Sequence, residues 1–307
     1  MTCSDLNEAV EVFTTRLGFR LEMIFPADDP SVAVISGHGV KIRLEKSAPP
    51  TAAGSTDKAG GPIITRAGDA EWVEGRAGME YRDLIPGRLG GKLIASHIRI
   101  PNAGEVPDYV HYHKVAFQMI FCRRGRVKVV YEDQGDAFWL EPGDCVLQPP
   151  EIRHRVLEAA ANTEVIELTS PALHETWADH DLELPTRRLN PERIFNGQRF
   201  VHCRANGSTS TSSRFGGFET YDLGIAAASG NAASAFVLRS PADHAEFASE
   251  GEDPGSSFFF LLDGTATVTV KGDDAVDLLP DDAVLIPLNM KFTLTAPAGS
   301  RFLFVQN

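Results

Sequence analysis

Cysteine is scarce in this chain and positive charge is outnumbered, and both shortages exclude classes of function. The four cysteines, Cys3, Cys122, Cys145 and Cys203, are scattered with no C-x-x-C pair. Neither a disulfide framework nor a zinc knuckle is therefore indicated, and reduced thiols in cytoplasm are the plain expectation. Lys and Arg number 29 against 42 Asp and Glu, a formal charge of −13. Phosphate recognition needs clustered Lys and Arg, so neither nucleic acid nor a membrane surface is an expected partner. No apolar run reaches the roughly 18 residues that span a bilayer. The N-terminal text MTCSDLNEAVEVF is acidic and lacks the basic-then-apolar order of a signal peptide. What is there suffices for real cores: hydrophobic residues make up 43% of 307, a length that leads us to expect two or three domains.

Residues 5–18 read as one helix. Asp5 is a candidate N-cap with Glu8 three residues later, Leu6, Ala9, Val10, Phe13 and Leu17 keep helical spacing, and Gly18 stands where a helix stops. Strand-like text follows at 19–25, 31–36 and 40–45. Residues 47–62 are small, Pro/Gly-rich and aperiodic, which reads as a linker. From 63 to 171 short strands alternate with turns, the pattern of a β-sandwich or barrel. Residues 172–213 read as a connecting arm and loop, and strand text resumes over 214–307.

An internal repeat links the two β regions. LEPGDCVLQPP (140–150) returns as LLPDDAVLIPL (278–288) at an offset of 138, and FCRRG (121–125) returns as FLLDG (260–264) at 139. A period of this length means two copies of one β-domain. The text that carries chemistry lies in the first copy. His111 and His113 are two apart, so on a strand both point to one face. Gln118 follows in the next apolar run, and His154 comes from a separate strand after Pro149–Pro150. Imidazoles converging from two strands suit a divalent first-row metal.

This text resembles the cupin superfamily. Gly104, His111, His113 and Gly125 fall on its first motif, with Gln118 at the acidic position. Gly143, Pro149 and His154 fall on the second, with Glu151 in place of a glycine and Glu158 in place of an asparagine. The resemblance implies a mainly β fold of two double-stranded β-helix barrels, a bicupin, with the metal in the mouth of the first. It implies His111, His113 and His154 as ligands to one divalent ion, Fe(II) first and Zn, Ni, Mn or Cu as alternatives, with Gln118 as a weaker fourth ligand. The second copy, aligned with Glu250, Glu252, Ser257 and Phe292 at the ligand positions, reads as degenerate and metal-free. Residues 1–46 resemble one βαβββ module of the vicinal-oxygen-chelate (glyoxalase-like) superfamily, a half-module whose first strand is missing or supplied elsewhere.

The function these resemblances imply is a mononuclear metal enzyme, a dioxygenase acting on a small oxygen-chelating molecule. A non-redox isomerase or lyase, and a ligand-binding or sensor protein, are the alternatives. His97 and Gln148 are candidate pocket residues, though a solvent-facing position is the favoured reading for His97. Glu167 reads as a surface acid, with a general base as the other reading. His174 and His180 read as loop residues, with a second metal site as the other reading. A homodimer is expected from the incomplete N-terminal module and from the tendency of cupins to pair.

Overall fold

The computed structural model describes residues 1–26, 29–47, 61–69, 71–205, 210–211, 215–241, 244–252 and 255–307. Most of the linker expected at 47–62 lies outside these residues. The fold is mainly β and of cupin type, with 47% strand and 8% helix.

The first helix starts as its cap requires. The Asp5 side chain accepts the Glu8 backbone N–H at 3.0 Å, satisfying an orphan donor of the first turn. The helix spans Leu6–Glu11 and then widens into a π-helical turn, Val12–Arg16. The Thr14 hydroxyl donates to the Val10 carbonyl at 2.8 Å and the Thr15 hydroxyl to the Glu11 carbonyl at 2.6 Å. Both threonines compete for the carbonyls that a regular helix would use. The first strand, expected to be missing or supplied elsewhere, is present: Thr2–Cys3 pairs in parallel with Val40–Lys46. One of the two grounds for a homodimer falls with that correction. The sheet then runs through Val32–Gly37 to Arg20–Phe25, a βαβββ arrangement.

That sheet does not stop at the module. Arg20–Phe25 pairs with Thr176–Ala178, which pairs in turn with His111–His113. A strand from the expected connecting arm thus joins the N-terminal module to the strand that carries two of the histidines. The first barrel closes this ten-stranded sheet against a seven-stranded one containing Ile94–Ile100, Phe117–Arg124, Cys145–Leu147 and Thr163–Ser170. The second barrel packs a seven-stranded sheet on a four-stranded one. Each barrel takes an edge strand from outside its own sequence range. Ile63–Thr65, placed in the first barrel by sequence, pairs with Ala283–Ile286 of the second, whereas Val201–Cys203 pairs with Cys145–Leu147 of the first.

Strand alternation splits each strand of the shared sheet between two cores. Ala95, Phe117, Met119, Phe121, Cys145, Leu147, Ile166 and Leu168 face outward. They form one buried cluster with Phe258, Phe260, Leu262, Leu285, Leu303 and Val305 of the second barrel. Burying such side chains contributes about 1.5–3 kcal/mol each, so this inter-barrel layer is a major source of stability. The alternate residues Ile98, Ile100, Cys122, Val146 and Val165 face into the first barrel. The second barrel is filled by Phe215, Phe247, Phe259, Phe292, Phe302 and Phe304, among others.

The repeat is visible in backbone detail. Gly125 (φ 69°) and Gly264 (φ 83°) turn out of equivalent strands, and a Cβ there would lie 2.6 Å from Thr163 Oγ1 and 2.5 Å from Ser300 Oγ, respectively. Only glycine tolerates both that conformation and that closeness. Register corrects one alignment. His111 lies opposite His154, and Ser249 lies opposite Phe292. The counterparts of His111 and His113 are therefore Ser249 and Gly251, not Glu250 and Glu252. The one-residue difference between the copies falls after the histidine pair, and a slip of one residue reverses every side chain. Glu250 instead sits on the surface, 2.5 Å from Lys291 Nζ.

Candidate metal centre

His111, His113 and His154 are all buried, and their ligand atoms lie within 4.8 Å of one another. The ring centroids are 5.2 Å apart for His111 and His113, 4.3 Å for His111 and His154, and 5.2 Å for His113 and His154. Two strands suffice to build this. Period 2 sets His111 and His113 on one face, and the antiparallel register puts His154 directly beside His111.

Each ring is held from behind. His111 Nδ1 lies 2.8 Å from the Tyr109 carbonyl, and His154 Nδ1 lies 3.0 Å from the Ile152 carbonyl. A carbonyl only accepts, so each Nδ1 carries the proton and the lone pair sits on Nε2. His113 Nδ1 lies 2.8 Å from Thr176 Oγ1. Asp108, with a fully buried side chain, places Oδ1 3.7 Å from His111 Nδ1 and accepts the Val156 N–H through Oδ2. Outer partners of this kind orient ligating histidines and raise their basicity. Among the described residues no other cluster of three or more His, Cys, Asp or Glu has metal-holding geometry. Three buried imidazoles with their Nδ1 atoms engaged fit a divalent first-row ion.

The rings open on a cavity of about 80 Å³. Its walls are largely aliphatic, including Ile94, Ile98, Ile120, Val129 and Val156, and its polar groups include Ser96, Tyr131, Gln148, Glu167, His174 and Thr176.

Gln148 lines the cavity, with its Oε1 accepting the Tyr131 hydroxyl at 2.6 Å and its Nε2 donating to Gln118 Oε1 at 3.0 Å. Burial pushes the Tyr131 hydroxyl pKa well above the usual phenol range, so it is protonated and able to donate. Gln118 is buried beside this pair, and its Nε2 has no hydrogen-bond partner among the described residues. His97 does not line the cavity. It belongs to the opposite face of Ile94–Ile100, between the barrels, where its ring meets Phe260 at 5.4 Å. There Nδ1 lies 2.9 Å from an Arg82 nitrogen and Nε2 lies 3.1 Å from Glu164 Oε2. Burial is the largest cause of its lowered pKa, with Arg82 adding to the effect and Glu164 opposing it. One step of alternation decides this, because Ser96 and Ile98 face inward.

Glu167 also departs from expectation. It lines the cavity instead of the surface, lying opposite Ile120 on one neighbour strand and Ser96 on the other. The signal was in the sequence, since Glu167 shares its strand face with Val165. His174 and His180 separate. His174 reaches the cavity with its ring 5.4 Å from that of His113, whereas the exposed His180 bonds the Leu21 carbonyl. Thr176 and Asp108 were not singled out in the sequence. Asp108 had a cue in its place three residues before His111. Thr176 had none, because only the sheet brings it to His113. Burial pushes the Cys122 thiol up to about 12, which marks it as an inert core residue.

No family model matches this sequence, and no curated protein matches it. Solved structures do match in fold. Protein Ylba from E. coli aligns at a TM-score of 0.57 and 10% identity, over 81% of this chain and 91% of that one. A formate complex of Lactobacillus farciminis oxalate decarboxylase aligns at 0.57 and 13% identity, over 84% and 88%. Bacillus subtilis oxalate decarboxylase, described as having Mn(II) centres, aligns at 0.57 and 11% identity, over 84% and 79%. At these identities the likeness is one of fold. It supports the cupin architecture and does not reach the glyoxalase-like family. No helix among the described residues is long and apolar enough to cross a membrane.

Proposed function

We propose that this chain is a mononuclear metal-dependent enzyme acting on a small molecule that presents chelating oxygens, and that its reaction is a dioxygenation with Fe(II) as the ion. The observation that carries the metal part is the set of three buried imidazoles, each Nδ1 engaged from behind. His111, His113 and His154 would hold the ion through Nε2. When bound, a divalent ion acidifies an attached enol or hydroxyl and supplies redox or Lewis-acid chemistry.

The residues around it set what can bind. Three neutral imidazoles cancel none of the ion's charge, which favours an anionic oxygen ligand such as an enolate, phenolate or carboxylate. The aliphatic wall accepts the apolar remainder of the substrate and keeps water out, which strengthens each polar contact inside. Ser96 and Gln148 are placed to orient polar groups. The Glu167 carboxylate lines the same space and is placed to take a proton from a substrate carbon or oxygen.

Glu167 also favours a second reading, a non-redox isomerase or lyase using Zn, Ni or Mn, because acid–base chemistry needs such a carboxylate and dioxygenation does not. The test begins with elemental analysis of protein purified without added metal. Oxygen uptake is then measured on the iron-loaded protein with diketones, catechols and keto acids. Iron and substrate-dependent oxygen uptake are the expected results. Zinc, nickel or manganese with turnover but no oxygen consumption moves the chain to the second reading. Tight binding without turnover makes it a ligand-binding protein, and a metal-free preparation that takes up none of these ions removes the whole proposal.

A further inference from the structure

The first motif places an amide where cupins have an acid, and its surroundings indicate a role other than ligation. Gln118 is 1% exposed. The Tyr131 hydroxyl donates to Gln148 Oε1 at 2.6 Å, and Gln148 Nε2 donates to Gln118 Oε1 at 3.0 Å. This chain of bonds fixes both amides together. With the tyrosine proton on the Gln148 oxygen, the Gln148 nitrogen faces the Gln118 oxygen, and the Gln118 nitrogen is the atom left over. That nitrogen is buried and lacks a hydrogen-bond partner among the described residues. A buried donor without an acceptor is rare in folded proteins and calls for a reason, such as a ligand that supplies the acceptor.

Strand alternation sets Gln118 on the inward face of its strand with Ile120; Gln118 is not itself among the lining residues, but it is bonded to Gln148, which lines the cavity with Ile120 and Tyr131. Turning both amides over would present the Gln118 oxygen, as ligation requires. Tyr131 would then accept from Gln148, and its own proton would need another acceptor inside the barrel. Among the described residues, the hydrogen bond to Gln148 is the one the Tyr131 hydroxyl makes.

We propose that Gln118 is a specificity-determining hydrogen-bond donor, its Nε2 bonding an oxygen of the bound substrate, and that Tyr131 acts through Gln148 as the positioning residue that sets this orientation. The proposal rests on the reading of the three histidines as a metal centre. It narrows the substrate to molecules with an oxygen acceptor beside the chelating group. A site built to donate a hydrogen bond discriminates strongly against analogues that lack the acceptor. A glutamate at this position could bind the ion but could not donate while ionised, so the two residues select different ligands.

The experiment loads wild type, Gln118→Leu and Tyr131→Phe with Co(II) and measures ion affinity by competition with a chromophoric chelator. Acetylacetone, a β-diketone probe, is then titrated into each cobalt protein and followed through the visible cobalt bands. The expected result for Gln118→Leu is cobalt affinity within about twofold of wild type and acetylacetone affinity lower on the order of tenfold, as for the loss of one hydrogen bond to a charged oxygen. Tyr131→Phe, which keeps the ring and Gln118 itself, is expected to weaken acetylacetone while leaving cobalt unchanged, and it carries the test if Gln118→Leu fails to fold. A tenfold or greater loss of cobalt in Gln118→Leu makes Gln118 a ligand and overturns the proposal alone. Unchanged acetylacetone affinity in the folded variants overturns it as well. Wild type that takes up no cobalt removes the metal centre and this proposal with it, a distinct outcome.

Discussion

Replacing Thr176 by valine exchanges a hydroxyl for a methyl of similar size, and the consequence can be worked out from the site. The Thr176 side chain is buried, and its Oγ1 lies 2.8 Å from His113 Nδ1. Without it, His113 loses the contact that fixes its ring. Removing an outer partner of a ligating histidine lowers metal affinity about 10–100-fold. At about 1.4 kcal/mol per decade this is roughly 1.4–2.8 kcal/mol. Metal-free stability should also fall by about 0.5–1.5 kcal/mol, the net worth of one hydrogen bond. The assays are cobalt or zinc affinity by chelator competition and the urea midpoint of the metal-free protein. Thr176→Ser, which keeps the hydroxyl, should recover most of both losses. Thr176→Val with metal affinity within twofold of wild type would refute the reasoning, because the strand Thr176–Ala178 would then be a mechanical join and not part of the site.

Two further predictions concern the inter-barrel face. Arg82 is 1% exposed and donates to the Asp281 carbonyl at 2.8 Å, besides its contact with His97. Arg82→Ala should cost about 3–5 kcal/mol, as breaking a buried polar network does, and a urea midpoint close to wild type would count against this account. The pH dependence of stability follows from His97 and Glu164, whose folded-state pKa values are both lowered. For each, the unfolded chain binds the proton more readily than the folded one. Their stabilisation is therefore complete above the unfolded values, 6.5 for the imidazole and 4.5 for the carboxyl, and is lost as pH falls. Urea midpoints measured from pH 8 down to pH 4 should fall first below about 6.5, and His97→Gln should flatten that first decline; an equally steep decline in the variant would place its cause elsewhere.

The sequence alone determined the parts of this protein that local chemistry dictates. The Asp5 cap, the glycine turns at Gly125 and Gly264, the duplicated β-unit and the two-apart histidines on one strand face all follow from backbone preference and period. Those signals survive because they act over a few residues or repeat along the chain. Tertiary structure decided what depends on register and pairing. His97 and Glu167 lie on strands the sequence identified, yet which side of the sheet each occupies depends on what packs there: a second barrel against His97, a cavity against Glu167. The one-residue shift that puts Ser249, not Glu250, opposite Phe292 is fixed by the ladder and is invisible in an alignment with an unplaced indel. Thr176 reaches His113 across 63 residues, in a segment with no motif of its own. A side chain's face is set by sequence only relative to its neighbours on the strand. What lies beyond that face is set by the whole chain.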